Sequence, residues 1–249
     1  MAYVNWTLMT QSLPPLRLCD FPARTGHDGW ISFSPYVLEV ERALNLAKLP
    51  FEHKRVKFLE IGDINPARQL PVLVIGAENV PDSTRILHRI ETLSPGALTG
   101  GLDAQKTAEA WLWEEFADTA LYPYVLASRW VDDRGWLIVK DAFFRWLPAP
   151  VRAVVSPLVR RKMAQRLVER DFLRGGLDTL YERMDCVLDE LELRAPADGF
   201  WIGPRASVAD LGLFAQLHSL RLPGLWLAEV LQKRERLTRY LDRVDAVTR

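Results

Sequence analysis

The apolar positions recur with different periods in the two halves of the chain. In the first half, short and partly alternating apolar runs have the length of strands, and they cover residues 16–21, 51–59 and 70–75. Between the first two runs, Val37, Val40 and Leu44 follow at steps of three and four residues, which predicts a helix with one apolar face. After a turn and a short strand near Val80, a second helix begins at Asp82 or Ser83. This order predicts a small mixed sheet covered by helices.

Beyond residue 101 every long segment has a helical period. One apolar stripe is nearly ideal and comprises Leu177, Leu180, Met184, Val187, Leu188 and Leu191. Residues 207–222 are apolar on most sides, which indicates a central buried helix, and Ser207 with Asp210 forms a capping box at its start. We therefore predict an N-terminal extension (1–15), a mixed α+β domain (16–95), a linker (96–105) and an all-helical domain (106–249).

The start of the first helix is the strongest chemical feature of the first half. Ser34 is a favoured N-cap residue, and Pro35 suits the first helical position because its missing N–H leaves no bond unmade. Free amides and the positive end of the helix dipole favour an anion there, such as a thiolate, to which the Ser34 hydroxyl would donate a hydrogen bond. A plain helix cap has the same sequence, so the two interpretations stay open.

Composition and charge exclude several classes of protein. Positive and negative side chains cancel at 32 each, so the basic surplus that nucleic acid attracts is absent. Two cysteines in no CxxC pair indicate a reducing compartment, which predicts a cytoplasmic protein. The sequence shows neither a targeting peptide nor a membrane span, and its four scattered histidines predict no metal site.

Basic residues are concentrated between positions 148 and 174, where seven stand against two acidic ones. Such a run is typical of a solvated helix face with packed side-chain stems. The alternative interpretation is a patch for an acidic ligand or for a membrane surface.

Four segments together resemble a known family. They are Ser-Pro-Tyr-Val-Leu-Glu-Val-Glu-Arg-Ala-Leu (34–44), Asn-Pro-Ala-Arg-Gln-Leu-Pro-Val-Leu (65–73), Pro-Asp-Ser-Thr-Arg-Ile (81–86) and Phe-Trp-Ile-Gly-Pro-Arg-Ala-Ser-Val-Ala-Asp-Leu (200–211). In this order the sequence resembles the glutathione transferase superfamily, with a weaker likeness to its failed-axon-connections and metaxin-like branches. The resemblance implies an α+β thioredoxin-like N-terminal domain followed by an all-α C-terminal domain.

The resemblance also implies roles for particular residues. Pro71 falls on the family's cis-proline, and the Leu70 backbone would pair with the cysteinyl unit of glutathione, the expected co-substrate. Asp82 and Ser83 would hold its γ-glutamyl end, while Gln69 and Arg68 lie where they could reach the glycyl carboxylate. Ser34 would stabilise the thiolate. The loop before Ser34 is longer than usual in the family, so Ser32 and Tyr36 stay open as alternatives.

The activity that the resemblance implies is transfer of glutathione to a hydrophobic electrophile. The second substrate would lie against aromatic residues of the helical half, namely Trp111, Phe116, Tyr122 and Trp130. A homodimer is expected as well. Two other functions remain open. One is a non-catalytic binding or scaffolding module that uses the basic residues of positions 148–174, called here the Arg-rich segment, and the other is a glutathione-dependent lyase or isomerase.

Overall fold

The computed structural model describes residues 14–22 and 32–249. Its first half contains strands β1 (Leu16–Asp20), β2 (Phe51–Arg55), β3 (Val72–Ile75) and β4 (Glu78–Pro81) and helices α1 (Pro35–Leu46), α2 (Ile61–Ile64) and α3 (Ser83–Leu93). Apart from Pro14 and Pro15, the predicted N-terminal extension lies outside the described residues.

The four strands form one mixed sheet in the order β2-β1-β3-β4. β1 runs parallel to β2 and antiparallel to β3, and β3 runs antiparallel to β4. Side chains alternate between the two faces: Leu18 and Leu73 join the main core with α1 and α3, whereas Cys19 and Val72 join a smaller cluster with α2. Because α1 connects the parallel pair, the β-α-β unit predicted from the sequence is present.

The second half is entirely helical. It comprises α4 (Ala104–Phe116), α5 (Tyr122–Trp130), α6 (Asp133–Phe144), α7 (Ala149–Glu169), α8 (Gly176–Arg194), α9 (Val208–Leu220), α10 (Trp226–Gln232) and α11 (Glu235–Thr248). A π-helical segment, Ala117–Leu121, joins α4 to α5 just before Pro123. Pro123 has no N–H to continue the regular bonding, which accounts for the irregular turn at this point. The predicted fold class, α+β followed by all-α, is confirmed.

Helix α9 lies at the centre of the molecule. Nearly all of its residues are buried, and it packs against α1 of the first half and α4 of the second. The predicted capping box is present: the Asp210 carboxylate accepts hydrogen bonds from the Ser207 amide at 2.8 Å and the Ser207 hydroxyl at 2.9 Å. It also accepts from the Trp201 amide and the Tyr240 hydroxyl, both at 2.7 Å. Asp210 therefore ties the start of α9 to two other segments.

Two strands differ from the expectation in detail. β2 ends at Arg55 rather than at residue 59, because its partner β1 ends opposite it at Asp20. β3 begins at Val72, after the Leu70–Pro71 dipeptide. The predicted linker is firmly held, since the Glu91 carboxylate accepts from Gly96 and Leu98 amides at 2.8 Å and Leu98 in turn accepts from the Val208 amide at 2.9 Å.

Within residues 14–22 and 32–249, none of the helices has both the length and the apolarity that crossing a membrane requires.

Candidate functional site

One end of the sheet brings together the end of β1, the segment just before β3 and the start of α3. Val72 pairs with Cys19 on one side and with Pro81 on the other, so the next position along, Pro71, lies between Asp20 and Asp82. Neighbouring strands are about 4.8 Å apart, so this row spans about 10 Å, the length of an extended tripeptide. The Leu70–Pro71 peptide bond is cis, as expected.

The hydroxyl groups near the start of α1 differ in what they bond. The Ser32 hydroxyl donates to Asp20 Oδ1 at 2.7 Å and accepts from the Ser34 amide at 3.0 Å. The Tyr36 hydroxyl donates to the Asp118 carbonyl at 3.1 Å, and burial raises its pKa. The Ser34 hydroxyl accepts from the Val37 amide at 3.4 Å, caps α1 and lines a cavity. Of the three, Ser34 combines a hydroxyl proton not used in these bonds with access to the cavity.

Asp82 and Ser83 form the start of α3. Asp82 is its N-cap, and its carboxylate accepts from the Arg85 amide at 3.1 Å. Its φ of 80° is uncommon for a residue with a side chain, and such conformations cluster at ligand-binding sites. Ser83 is buried, and its hydroxyl donates to Asp118 Oδ2 at 3.2 Å. The predicted pair is thus in place at the helix start, with Ser83 facing a carboxyl group of the second half.

Behind Ser83 lies a group of carboxyls that we call the carboxyl cluster, formed by Glu39, Glu114 and Asp118. One oxygen from each lies within 4.8 Å of the others. Burial and the neighbouring Glu114 raise the pKa of Asp118 to about 8, and burial raises that of Glu114 to about 7. Burial, with Asp118 and Glu114 close by, raises the pKa of Glu39 well above its usual range. The cluster therefore retains protons at neutral pH.

The partners of the cluster are polar but uncharged. Thr84 donates to Glu114 at 2.7 Å and Gln216 donates to Asp118 at 3.1 Å, while neither Glu39 oxygen has a hydrogen-bond partner in the described part of the chain. No ion pair joins the three carboxyls to a basic side chain of the described residues. Three such oxygens could hold a hard cation such as Mg²⁺ or Ca²⁺. The expectation of a metal-free protein stays a prediction.

The remaining predicted binding residues, Arg68, Gln69 and Leu70, directly precede Pro71 in the chain. Leu70 is buried in the smaller apolar cluster of the sheet, together with Cys19 and Ile61. Gln69 is exposed, and its carbonyl accepts from the Asn65 side chain at 2.8 Å. Arg68 is exposed as well and lines the cavity with its neighbour Ala67. Gln69 and Arg68 therefore have side chains free to approach a ligand at the end of the sheet.

A cavity of about 720 Å³ opens beside Ser34 and reaches into the helical half. Its walls are largely apolar and include eight aromatic residues, namely Phe21, Phe33, Phe58, Tyr122, Trp130, Phe143, Phe144 and Trp146. Phe143 is the centre of this group, with ring centroids 5.6 Å from Phe33 and 5.8 Å from Trp130. A predominantly apolar cavity with few polar groups is the usual form of a small-molecule site.

The four aromatic residues expected at the second-substrate site divide into two pairs. Tyr122 and Trp130 line the cavity. Trp111 instead stacks on His88 with centroids 3.9 Å apart, and Phe116 packs edge-on against Trp113 at 5.3 Å. Trp111 and Phe116 are not among the described residues that line the cavity, because Trp111 packs against His88 of α3 and Phe116 against Trp113 of α4 itself.

Two further residues of the site, Asp20 and Phe143, carried little signal in the sequence. Asp20 is fully buried and accepts from the Phe21 amide at 2.6 Å, from Ser32 and, at 3.2 Å, from His53. Phe143 belongs to no motif of the sequence. A buried polar residue at the end of a strand was the one available hint for Asp20, and it needed the sheet register to be interpreted.

The Arg-rich segment forms α7 and the turn after it. Arg160 points inward: its guanidinium donates to the Trp130 carbonyl at 2.9 Å and the Val131 carbonyl at 2.7 Å, and lies 5.2 Å from the Trp136 ring. It also pairs with Asp133 at 2.7 Å. Arg160 therefore caps the C-terminal carbonyls of α5, which is a structural role. Arg161 next to it is exposed.

Both halves match known family models. Residues 35–135 match the Glutathione S-transferase N-terminal domain, and residues 174–243 match the Glutathione S-transferase, C-terminal domain. A four-stranded thioredoxin-like half followed by an all-helical half is the architecture that these two domain models describe. The chain belongs to the glutathione transferase superfamily.

Solved structures show the same fold at low sequence identity. Beta-etherase LigF from Sphingobium sp. strain SYK-6 is 20% identical with a TM-score of 0.61, over 93% of this chain and 95% of that one. Glutathione S-transferase III in apo form is 22% identical with a TM-score of 0.60, over 93% and 92%. A glutathione transferase homologue from Sulfitobacter with bound glutathione is 17% identical with a TM-score of 0.57, over 93% of each. The sequence has no significant match among curated proteins.

Proposed function

We propose that this protein is a glutathione transferase that activates the thiol of glutathione at Ser34. The observation that carries the proposal is the position of the Ser34 hydroxyl, which caps α1 and lines the aromatic cavity while the Ser32 and Tyr36 hydroxyls are bonded elsewhere. The helix dipole and a hydrogen bond from Ser34 would favour the thiolate over the thiol.

The tripeptide would lie along the row Asp20, Pro71 and Asp82, with its sulfur directed at Ser34. Its cysteinyl backbone would pair with Leu70, and its γ-glutamyl end would reach Asp82 and Ser83. Protonated carboxyls behind Ser83 support this placement, because an ionised cluster would repel the γ-glutamyl carboxylate. Gln69 and Arg68 lie toward the glycyl end. The unusual backbone of Asp82 fits a residue held in place for ligand binding.

In the reaction, the sulfur would attack an electrophilic carbon of a substrate held in the cavity. A C–S bond forms, the leaving group departs with the electron pair of its bond to that carbon, and the thiol proton has already passed to solvent. One solved structure with this fold is a β-etherase, which favours ether cleavage as a second candidate: there the leaving group would be an alkoxide or aryloxide. A homodimer and a cytoplasmic location belong to the same proposal.

Glutathione binding is measured by thermal unfolding. A ligand that binds only the folded chain adds about 2.7 kcal/mol at a hundredfold excess over Kd, which raises Tm by several degrees. Cysteinylglycine, which lacks the γ-glutamyl unit, serves as the control and should give no comparable rise. The absence of any shift at millimolar glutathione would favour the non-catalytic module instead.

Catalysis is separated from binding by two variants. Ser34→Ala should lower turnover of an aromatic electrophile about tenfold, the value of one charge-assisted hydrogen bond, with little change in glutathione affinity. Ser34→Thr keeps both the hydroxyl and the helix cap, so it should retain most of the activity. Equal turnover in the Ala and Thr variants would move the role to another group.

A further inference from the structure

The charges around the cavity are of one sign. Four basic residues line it, namely Arg68, Arg129, Lys162 and Arg166, and none of its lining residues in the described part of the chain is Asp or Glu. For the whole sequence, acidic and basic residues are equal in number. The excess of positive charge is therefore a local property of this cavity.

Arg129 is the unusual member of this set. The residue is 4% exposed, and its guanidinium donates to the Phe33 carbonyl and, at 2.8 Å, to the Ser219 carbonyl. Among residues 14–22 and 32–249, its Nε has no hydrogen-bond partner and no carboxylate forms an ion pair with it. Buried charges are ordinarily paired, because an uncompensated charge is costly in a medium of low dielectric. A counter-charge for Arg129 is thus missing within the described chain.

Lys162 and Arg166 stand one helical turn apart on α7, at the mouth of the same cavity. Both are exposed, and neither takes part in an ion pair of the described residues. Arg166 and Arg129 both act on the Tyr122 hydroxyl, lowering a pKa that burial raises. Arg129 and Arg166 therefore lie near Tyr122, and Lys162 lines the same cavity one helical turn before Arg166.

We infer that the cavity binds an aromatic molecule that carries an anionic group, such as an aryl carboxylate. The rings of Phe143, Trp130 and Phe33 contact its aromatic body, while Arg129, Lys162 and Arg166 supply the positive potential for its anion. That this ligand is the second substrate rests on the proposed function. The binding preference itself does not, since it follows from the cavity alone.

Calorimetric titration of the intact protein tests this with two probes of nearly equal shape, naphthoate and the neutral naphthylmethanol. We expect naphthoate to bind about tenfold more tightly, with an affinity that falls as salt is added. The double variant Lys162→Gln/Arg166→Gln should lower naphthoate affinity about fivefold and leave naphthylmethanol unchanged. Arg152→Gln/Arg161→Gln, which removes the same charge from the same helix away from the cavity, is the matched control.

Equal affinity for the two probes, or an equal loss in the two double variants, would overturn the inference. Loss of the preference in saturating glutathione would also overturn it, because the basic groups would then serve glutathione's own carboxylate. Naphthoate preference in a protein that fails to bind glutathione would contradict the transferase proposal and leave the anion preference established. Glutathione binding without that preference would contradict only the inference made here.

Discussion

At the level of single residues, the hydroxyls beside the start of α1 show why sequence spacing was insufficient. Ser32, Ser34 and Tyr36 are all close enough in sequence to serve as the thiol partner. Their hydrogen bonds separate them, because Ser32 is held by the buried Asp20 and Tyr36 by the Asp118 carbonyl. Both partners come from parts of the chain whose proximity only the fold reveals.

The carboxyl cluster gives a prediction about stability and pH. The ordinary pKa of an Asp carboxyl is 3.8, and that of Asp118 is raised to about 8 in the folded chain. Between these two values the folded state binds more protons than the unfolded state, so the free energy of unfolding falls as pH rises. One such proton contributes a slope of up to about 1.4 kcal/mol per pH unit.

Asp118→Asn cannot ionise, so its free energy of unfolding should fall less steeply than that of the wild type as the pH is raised toward 8. Chemical denaturation at a series of pH values measures this slope. Asp198→Asn removes an exposed carboxyl and should follow the wild-type curve. A slope in Asp118→Asn identical to that of the wild type would show that Asp118 is ionised in the folded protein.

At the level of elements, the start of α9 is expected to control stability. The Asp210 carboxylate accepts four hydrogen bonds while fully buried. In Asp210→Asn one oxygen becomes an NH₂ group that faces two donors, so we expect a loss of about 3–4 kcal/mol in the free energy of unfolding.

Asp103→Asn is the matched control for this substitution. Asp103 is the exposed N-cap of α4, and its carboxylate accepts from the Lys106 amide at 2.9 Å. Because Asn caps helices about as well as Asp, its effect should be a few tenths of a kcal/mol. Urea denaturation compares the two variants, and similar small losses in both would show that the Asp210 network is unimportant.

Features that depend on neighbouring residues in the sequence were predictable. Features that depend on contacts with distant parts of the chain were not. The Ser34 cap, the Val37, Val40 and Leu44 stripe and the Ser207 capping box depend on neighbouring residues, and all are present. The end of β2 depends on the length of β1, and the inward turn of Arg160 depends on where α5 ends. Such features require knowledge of which elements meet.

At the level of the whole molecule, the candidate site belongs to both halves. Ser34 and Phe33 come from the first half, whereas Tyr122, Trp130 and Phe143 come from the second. The segment 34–44 indicated Ser34, whereas no motif pointed to Phe33. The cavity residues of the second half are spread over three helices without a motif, so the sequence could indicate aromatic candidates but could not select among them.

The central claim is that Ser34 and the start of α1 stabilise the thiolate of bound glutathione. Titrating the ultraviolet absorbance of the thiolate, with glutathione saturating the wild-type protein, tests it most directly. A hydrogen bond and a helix dipole together should lower the thiol pKa by about 1–2 units from its free value near 8.5. We predict this lowering of the thiol pKa in the wild type and its partial reversal in Ser34→Ala. A bound thiol that titrates like free glutathione in the wild type would contradict the account.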